Sequence, residues 1–196
     1  MTVRNVSLES FENMEIIMRS ISDPVWFIEN VLEQPLWPAQ REMIRNFYRH
    51  KYKRGAKPFK RCVLALGQRS GKTAMMSCIG LYEMFEICCI ENPSKHYGLI
   101  KDQIIMIAVL SPSEDQTLRG VYGNMVNYVD NCPFLKDFMG WEASKKAIYS
   151  PSKKVRIEPF GSWAHTGRGT TAKAVIFDEM DYFEETTNRR GGQEVY

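Results

Sequence analysis

The sequence predicts an α/β fold with a largely parallel sheet flanked by helices. Three observations carry that expectation. Short, wholly apolar runs at 62–66, 104–110 and 174–177 have the composition of strands buried on both faces. Segments with helical apolar spacing separate them. A glycine-containing turn, Gly67 to Thr73, falls between the first run and the helix that follows it. Bulk properties agree: 196 residues suffice for one domain with a short extension, and 44% hydrophobic against 25% charged residues is ordinary globular composition. No apolar stretch approaches the roughly 18 residues of a membrane span. The segment after Arg4 lacks the apolar core of a signal peptide.

Each element has a local cause. Phe11, Met14, Ile17, Met18 and Ile21 are spaced as one face of a helix over 8–21. Asp23-Pro24 is a helix start, with the carboxylate as cap and Pro at the first position; that helix runs through Trp26, Phe27 and Val31 and stops before Pro35. A third helix spans Gln40 to about Tyr52 and ends at Arg54-Gly55-Ala56-Lys57-Pro58. Cys62 to Leu66 is the first buried strand. Thr73 to Ile90, apolar nearly all round, is a buried helix ended by Asn92-Pro93. Ile104 to Leu110 is the second strand. Ser111, Pro112 and Glu114 then suit the cap, first and third positions of a helix whose inner face is Leu118, Tyr122, Met125 and Val129. A hairpin over 147–160 turns at Ser150-Pro151-Ser152-Lys153. A glycine-rich loop, 161–171, leads to the last buried strand, Ala174 to Phe177, which ends in Asp178-Glu179.

Charge and cysteine content narrow the class. Net charge is +3, yet residues 41–61 gather Arg41, Arg45, Arg49, Lys51, Lys53, Arg54, Lys57, Lys60 and Arg61 against Glu42 alone. Such a run is either an anion-facing surface or a solvated helix end and loop. The five cysteines form no C-x-x-C pair and are odd in number, which fits neither a zinc site nor a disulfide framework. They read as small apolar residues of a reducing, intracellular compartment.

Leu66-Gly67-Gln68-Arg69-Ser70-Gly71-Lys72-Thr73 nearly matches the phosphate-binding P-loop G-x-x-x-x-G-K-[ST], with Leu66 in place of the leading glycine. The chemistry needs each part. Backbone N–H groups of Gly67, Gln68, Arg69, Ser70 and the helix start converge on phosphate oxygens, and Gly71 permits close approach. Lys72 reaches the β- and γ-phosphates of ATP, and the Thr73 hydroxyl ligates Mg2+. Ala174 to Glu179 reads as a Walker B element: Asp178 holds the Mg2+ shell and Glu179 is general base toward the attacking water. Arg69 is either a sensor of γ-phosphate charge or a surface arginine on a turn.

Five segments, in order, resemble the ATPase domain of the tailed-phage terminase large subunit: Leu36 to Met43, the arginine-bearing P-loop, Ile105 to Pro112, Asn131 to Leu135, and Arg168-Gly169 ahead of Val175 to Glu179. The resemblance covers about residues 36–185. It implies a P-loop NTPase of the additional-strand, RecA-like type that drives double-stranded DNA into a procapsid. It also implies adenine contact by Gln40 and an internal arginine finger at Arg69, although Arg69 stands three residues before Lys72 where the family places it four before. The implied partners are a portal protein, a small terminase subunit and further copies in a ring, in the host cytoplasm and away from membranes. The expected organisation is a helical extension, 1–35, and an ATPase domain, 36–196. The family's coupling motif and nuclease domain, which follow Walker B, have no counterpart in the residues up to Tyr196, so the expectation is an ATPase domain incomplete at its C-terminal end.

Two alternatives stay open. A superfamily-2-type helicase or translocase shares the Gln, the P-loop and the Asp-Glu pair. A non-catalytic nucleotide-binding fragment, complementing a partner chain, shares the same residues without turnover.

Overall fold

The structure, a computed structural model, describes residues 8–67, 69–161 and 171–179. These fall into two compact units, residues 1–65 and 66–196. Gln68 and residues 162–170, which hold the Arg168-Gly169 match and most of the expected glycine-rich loop, lie outside the described residues.

The first unit is helical. α1 spans Leu8–Ser22 and α2 Pro24–Trp26, continued by a π-helical turn, Phe27–Val31. Asp23 accepts hydrogen bonds from the N–H groups of Val25 and Trp26 at 2.9 and 3.2 Å, the cap that Asp-Pro implied. Val25, Phe27, Ile28, Leu32, Leu36, Ile44 and Tyr48 form the core. α3, Pro38–Phe47, and α4, Arg49–Tyr52, replace the single expected helix, with the break at Tyr48. The buried side of α1 also differs from expectation. Ser20 is fully buried, whereas Phe11, Met14 and Met18 are largely exposed.

The second unit is a five-stranded, mostly parallel sheet flanked by helices. β1 is Ile105–Leu110, β2 Glu142–Ala143, β3 Ile148–Ser150, β4 Val155–Phe160 and β5 Thr171–Phe177, in the order β2-β3-β4-β1-β5. β1 pairs in parallel with β4 and β5, while β3 pairs antiparallel with β2 and β4. The expected hairpin is β3–β4, with Ser150 opposite Val155. All six side chains of β1 are buried, and Met106, Ala108 and Leu110 pack with Phe160 and Phe177 on one face. α5, Lys72–Cys88, is the long buried helix, followed by α6, Pro93–His96. α7, Glu114–Arg119, and α8, Val121–Asp130, are followed by a π-helical turn at Phe134–Phe138.

Three strand and cap expectations are corrected. Residues 62–66 form no strand: 61–67 lack regular structure, Cys62 is exposed and Val63 is 89% exposed. The apolar composition was compatible with a strand, but pairing is a tertiary event that composition does not guarantee. β5 is present but not buried on both faces; it is an edge strand among the described residues, with Val175 45% exposed. Helix capping falls to Ser113, whose Oγ accepts the Gln116 N–H at 3.2 Å, rather than to Ser111, which is 1% exposed at the end of β1. Gly120 then divides the expected single helix, because Arg119 and Val121 belong to different helices.

Cys78, Cys88 and Cys132 are buried, and burial pushes the Cys78 thiol up to about 12 and the Cys88 thiol to about 11, which leaves both unreactive.

Two glycines test the packing. A methyl on Gly80 would overlap the ends of Met125 and Ile176 side chains, which can rotate away, whereas one on Gly123 would overlap the rigid Leu118 carbonyl. Gly123→Ala should therefore lower the urea-unfolding free energy by about 1–3 kcal/mol. Gly80→Ala should stay within about 1 kcal/mol of the parent, since the helix-propensity gain offsets the contact. Equal losses would show that the α7–α8 junction yields freely.

Candidate functional site: the P-loop and the end of β5

The turn before α5 is shaped for anions by its backbone. Gly71 is the cap of α5 at φ 79°, a left-handed conformation that glycine adopts without a Cβ penalty. Its carbonyl accepts the Met75 N–H at 3.0 Å, so the helix begins at Lys72 with its first N–H groups unclaimed by helical bonding. That end carries the positive pole of the helix dipole. Arg69 also sits at positive φ, 59°, and is exposed. Gly67 leaves open space where a Cβ would stand. Ser70 and Thr73 are half-buried.

The second half of the site is built by the sheet. The Asp178 N–H donates to the Leu110 carbonyl at 2.8 Å, so the carboxylate is carried at the end of β5 by the end of β1. Glu179 follows at φ 53° and is exposed. Burial raises the Asp178 carboxyl above its ordinary 3.8, and the adjacent Glu179 charge raises it further. The Lys72 ammonium opposes the rise, as does a hydrogen bond from the Glu179 backbone N–H. The fold therefore brings Lys72, Asp178 and Glu179 within electrostatic reach, from segments about a hundred residues apart in sequence.

Two residues here escaped the sequence reading. Gly120 abuts the carboxylate: a Cβ on it would stand 3.4 Å from Asp178 Oδ2 and 2.9 Å from the Gln116 carbonyl. A glycine before an apolar helix signalled only a break. Ser111, beside Leu110, buries a hydroxyl that has no hydrogen-bond partner among the described residues. Its serine-proline context had suggested a cap. Ser77 ties the site to its surroundings, its Oγ lying 2.7 Å from the Thr73 carbonyl and 2.8 Å from the Val121 carbonyl.

Gln40 belongs to the first unit. Its Oε1 accepts the Trp37 N–H at 2.9 Å, an N-terminal helix bond at the start of α3, next to an exposed Trp37. The basic stretch is partly engaged within that unit. Arg41 pairs with Glu29 at 2.6 Å, Arg49 lies over the Phe59 ring at 4.1 Å, and Lys51 Nζ donates to the Ile21 carbonyl at 2.9 Å.

A helix capped by glycine and opened by lysine, within electrostatic reach of an Asp-Glu pair at the end of a parallel strand, defines a P-loop nucleotide-binding domain. Residues 5–190 match the family described as "Uncharacterized protein MJ0330, N-terminal P-loop domain", and the chain belongs to that family. No curated protein matches the chain. Among the described residues no helix is long and apolar enough to cross a membrane.

The Asp178 environment has a measurable consequence. A carboxyl whose folded value is raised binds its proton more tightly when folded. It therefore subtracts stability as pH climbs from the unfolded value through the folded one, and the loss persists above. In the absence of ligand, Asp178→Asn should raise the urea midpoint at neutral pH, and that gain should vanish below about pH 4. An unchanged midpoint at pH 7 would show that Lys72 already compensates the buried charge.

Proposed function

We propose that this chain is the ATP-hydrolysing motor domain of a viral terminase large subunit, powering movement of double-stranded DNA into a procapsid. The observation that supports hydrolysis is the convergence of Lys72 with Asp178 and Glu179 at one end of the sheet. The DNA-packaging part rests on the five-segment resemblance. That resemblance also supplies the portal, the small subunit, the ring of copies and the host-cytoplasm setting.

The residues suit Mg-ATP. Two adjacent carboxylates, one of them raised by burial, call for a cation, and Mg2+ takes one or two carboxylates beside phosphate oxygens. Thr73 Oγ1 and Asp178 would hold the metal, which supplies charge neutralisation to the β- and γ-phosphate oxygens. Backbone N–H groups of 69–73 would hold the phosphates, and Lys72 would neutralise charge developing on them. Glu179 would take a proton from water as the water oxygen bonds to the γ-phosphorus. The bond from that phosphorus to the bridging oxygen then breaks, leaving ADP and phosphate. Arg69, exposed on the loop, is placed in this reading as the cation that answers γ-phosphate charge.

One observation favours a second reading, nucleotide binding without turnover: 61–67 form no strand, so the segment leading into the loop is not held in the sheet. Calorimetry paired with phosphate release separates the two. Lys72→Ala should weaken Mg-ATP binding at least about tenfold and reduce turnover by about 10²–10³. Glu179→Gln should keep parent-like binding while turnover falls by about 10²–10⁴. Parent-rate hydrolysis by Glu179→Gln would reassign the base. Tight binding with no turnover by the unsubstituted chain would favour the second reading. Acceleration of phosphate release by duplex DNA without strand separation would favour packaging over unwinding.

A further inference from the structure

Ser111 follows the apolar run of β1. It is 1% exposed, and its Oγ has no hydrogen-bond partner among the described residues. A buried hydroxyl without a partner is costly, and the cost is recovered when a partner arrives. Thr117, buried nearby, shows the usual arrangement: its Oγ1 donates toward the Phe160 carbonyl at 2.8 Å and lies 3.1 Å from the Ser113 carbonyl. The ladder shows what Ser111 stands beside. Leu110 pairs with Phe177. One position on, the Asp178 N–H donates to the Leu110 carbonyl at 2.8 Å, the bond that sets Asp178 opposite Ser111 in a parallel pair. The Ser111 N–H donates to the Phe160 carbonyl at 3.4 Å, so Ser111 keeps its place in the ladder. Leu110 and Phe177 pack on one face of the sheet, so Ser111 and Asp178 share the other. On that face Asp178 Oδ2 lies by Gly120 at the start of α8. Ser77 joins that start to the P-loop helix, through the Val121 and Thr73 carbonyls.

We propose that Ser111 is a positioning residue for Asp178, its hydroxyl donating to the carboxylate while Asp178 and Thr73 hold Mg2+ against the nucleotide. The inference rests on the nucleotide reading of the site. Asp178 is half-buried, so part of the shell around its carboxylate is closed to water and must come from protein. The Glu179 backbone N–H supplies one donor. Ser111 supplies a second from the neighbouring strand. Adjacent strands stand about 4.8 Å apart, which a serine hydroxyl and an aspartate carboxylate span by rotation about χ1. Two fixed donors restrict the carboxylate to one orientation, the usual service of hydrogen bonds behind a metal-ligating carboxylate. Alanine would fill the same space without a donor. The empty chain gains nothing from the hydroxyl, and that separates a positioning role from a structural one.

Calorimetry with ATP, in Mg2+ and in EDTA, gives the metal-linked part of the affinity, and urea unfolding of the ligand-free chain gives stability. Ser111→Ala should cut the Mg2+-dependent gain in ATP affinity by about tenfold, what a hydrogen bond to a charged group is worth, and leave the affinity in EDTA unchanged. Its ligand-free urea midpoint should equal or exceed the parent's, because the hydroxyl removed has no partner there. In an Asp178→Asn background the same substitution should change the affinity in Mg2+ by less than about twofold. A parent that gains no ATP affinity from Mg2+ overturns the nucleotide reading and this inference with it. A parent that does gain it, matched by Ser111→Ala, overturns this inference alone. So does a lowered midpoint with equal losses in Mg2+ and EDTA, which makes the hydroxyl a structural group bridged by buried water. An undiminished effect in the Asp178→Asn background also overturns it, by assigning the hydroxyl a different partner.

Discussion

β1 has no face for solvent. From Ile105 to Leu110 every side chain is buried, and such a strand needs neighbours on both edges and cover on both faces. β4 and β5 provide the edges, each in parallel, and parallel pairing requires long returns over the sheet rather than tight turns. The return from β1 begins with α7 and α8, and the break between them places Gly120 against Asp178. The end of β1 also sets the carboxylate directly, through the Leu110 carbonyl. The position of the acidic half of the site is thus a consequence of how one apolar strand is satisfied.

The site holds conformations that the surrounding fold must support. Arg69 and Glu179 are non-glycine residues at positive φ, each costing about 1 kcal/mol or more. They lie close in sequence to Lys72 and Asp178, the two groups within electrostatic reach of each other. The electrostatic balance at Asp178 is similarly unrelaxed, with burial and Glu179 pushing against Lys72. Strain and unrelieved charge in one place have a common physical reading: the site is organised for a highly charged ligand rather than for the stability of the empty chain.

The basic stretch shows how a charge run loses its simple meaning once packed. Arg41, Arg49 and Lys51 each hold a neighbour in the first unit, on a carboxylate, a ring and a backbone carbonyl. Tyr52 adds a hydrogen bond to Asp23, and burial with that acidic neighbour raises its hydroxyl well above the ordinary range. Part of the run therefore serves the local fold, which sequence counting does not separate from an anion-binding face.

The α/β class, β1, β5, α5, the β3–β4 hairpin and the Asp23 cap were all legible in the sequence. Each rests on local causes: apolar runs of strand length, turn residues, a carboxylate before proline. The P-loop was legible for the same reason, since phosphate chemistry demands fixed residue types at fixed spacing. What tertiary structure alone decided is where pairing stops and which face is covered. Composition made 62–66 and 174–177 look alike, yet only the second is in the sheet, and at its edge, because a strand exists only by hydrogen bonds to a neighbour distant in sequence. Spacing identified α1 but not its buried side, because both sides are apolar and only packing chooses between them. Gly120 became a site neighbour for the same reason: nothing local to it records that Asp178 arrives beside it.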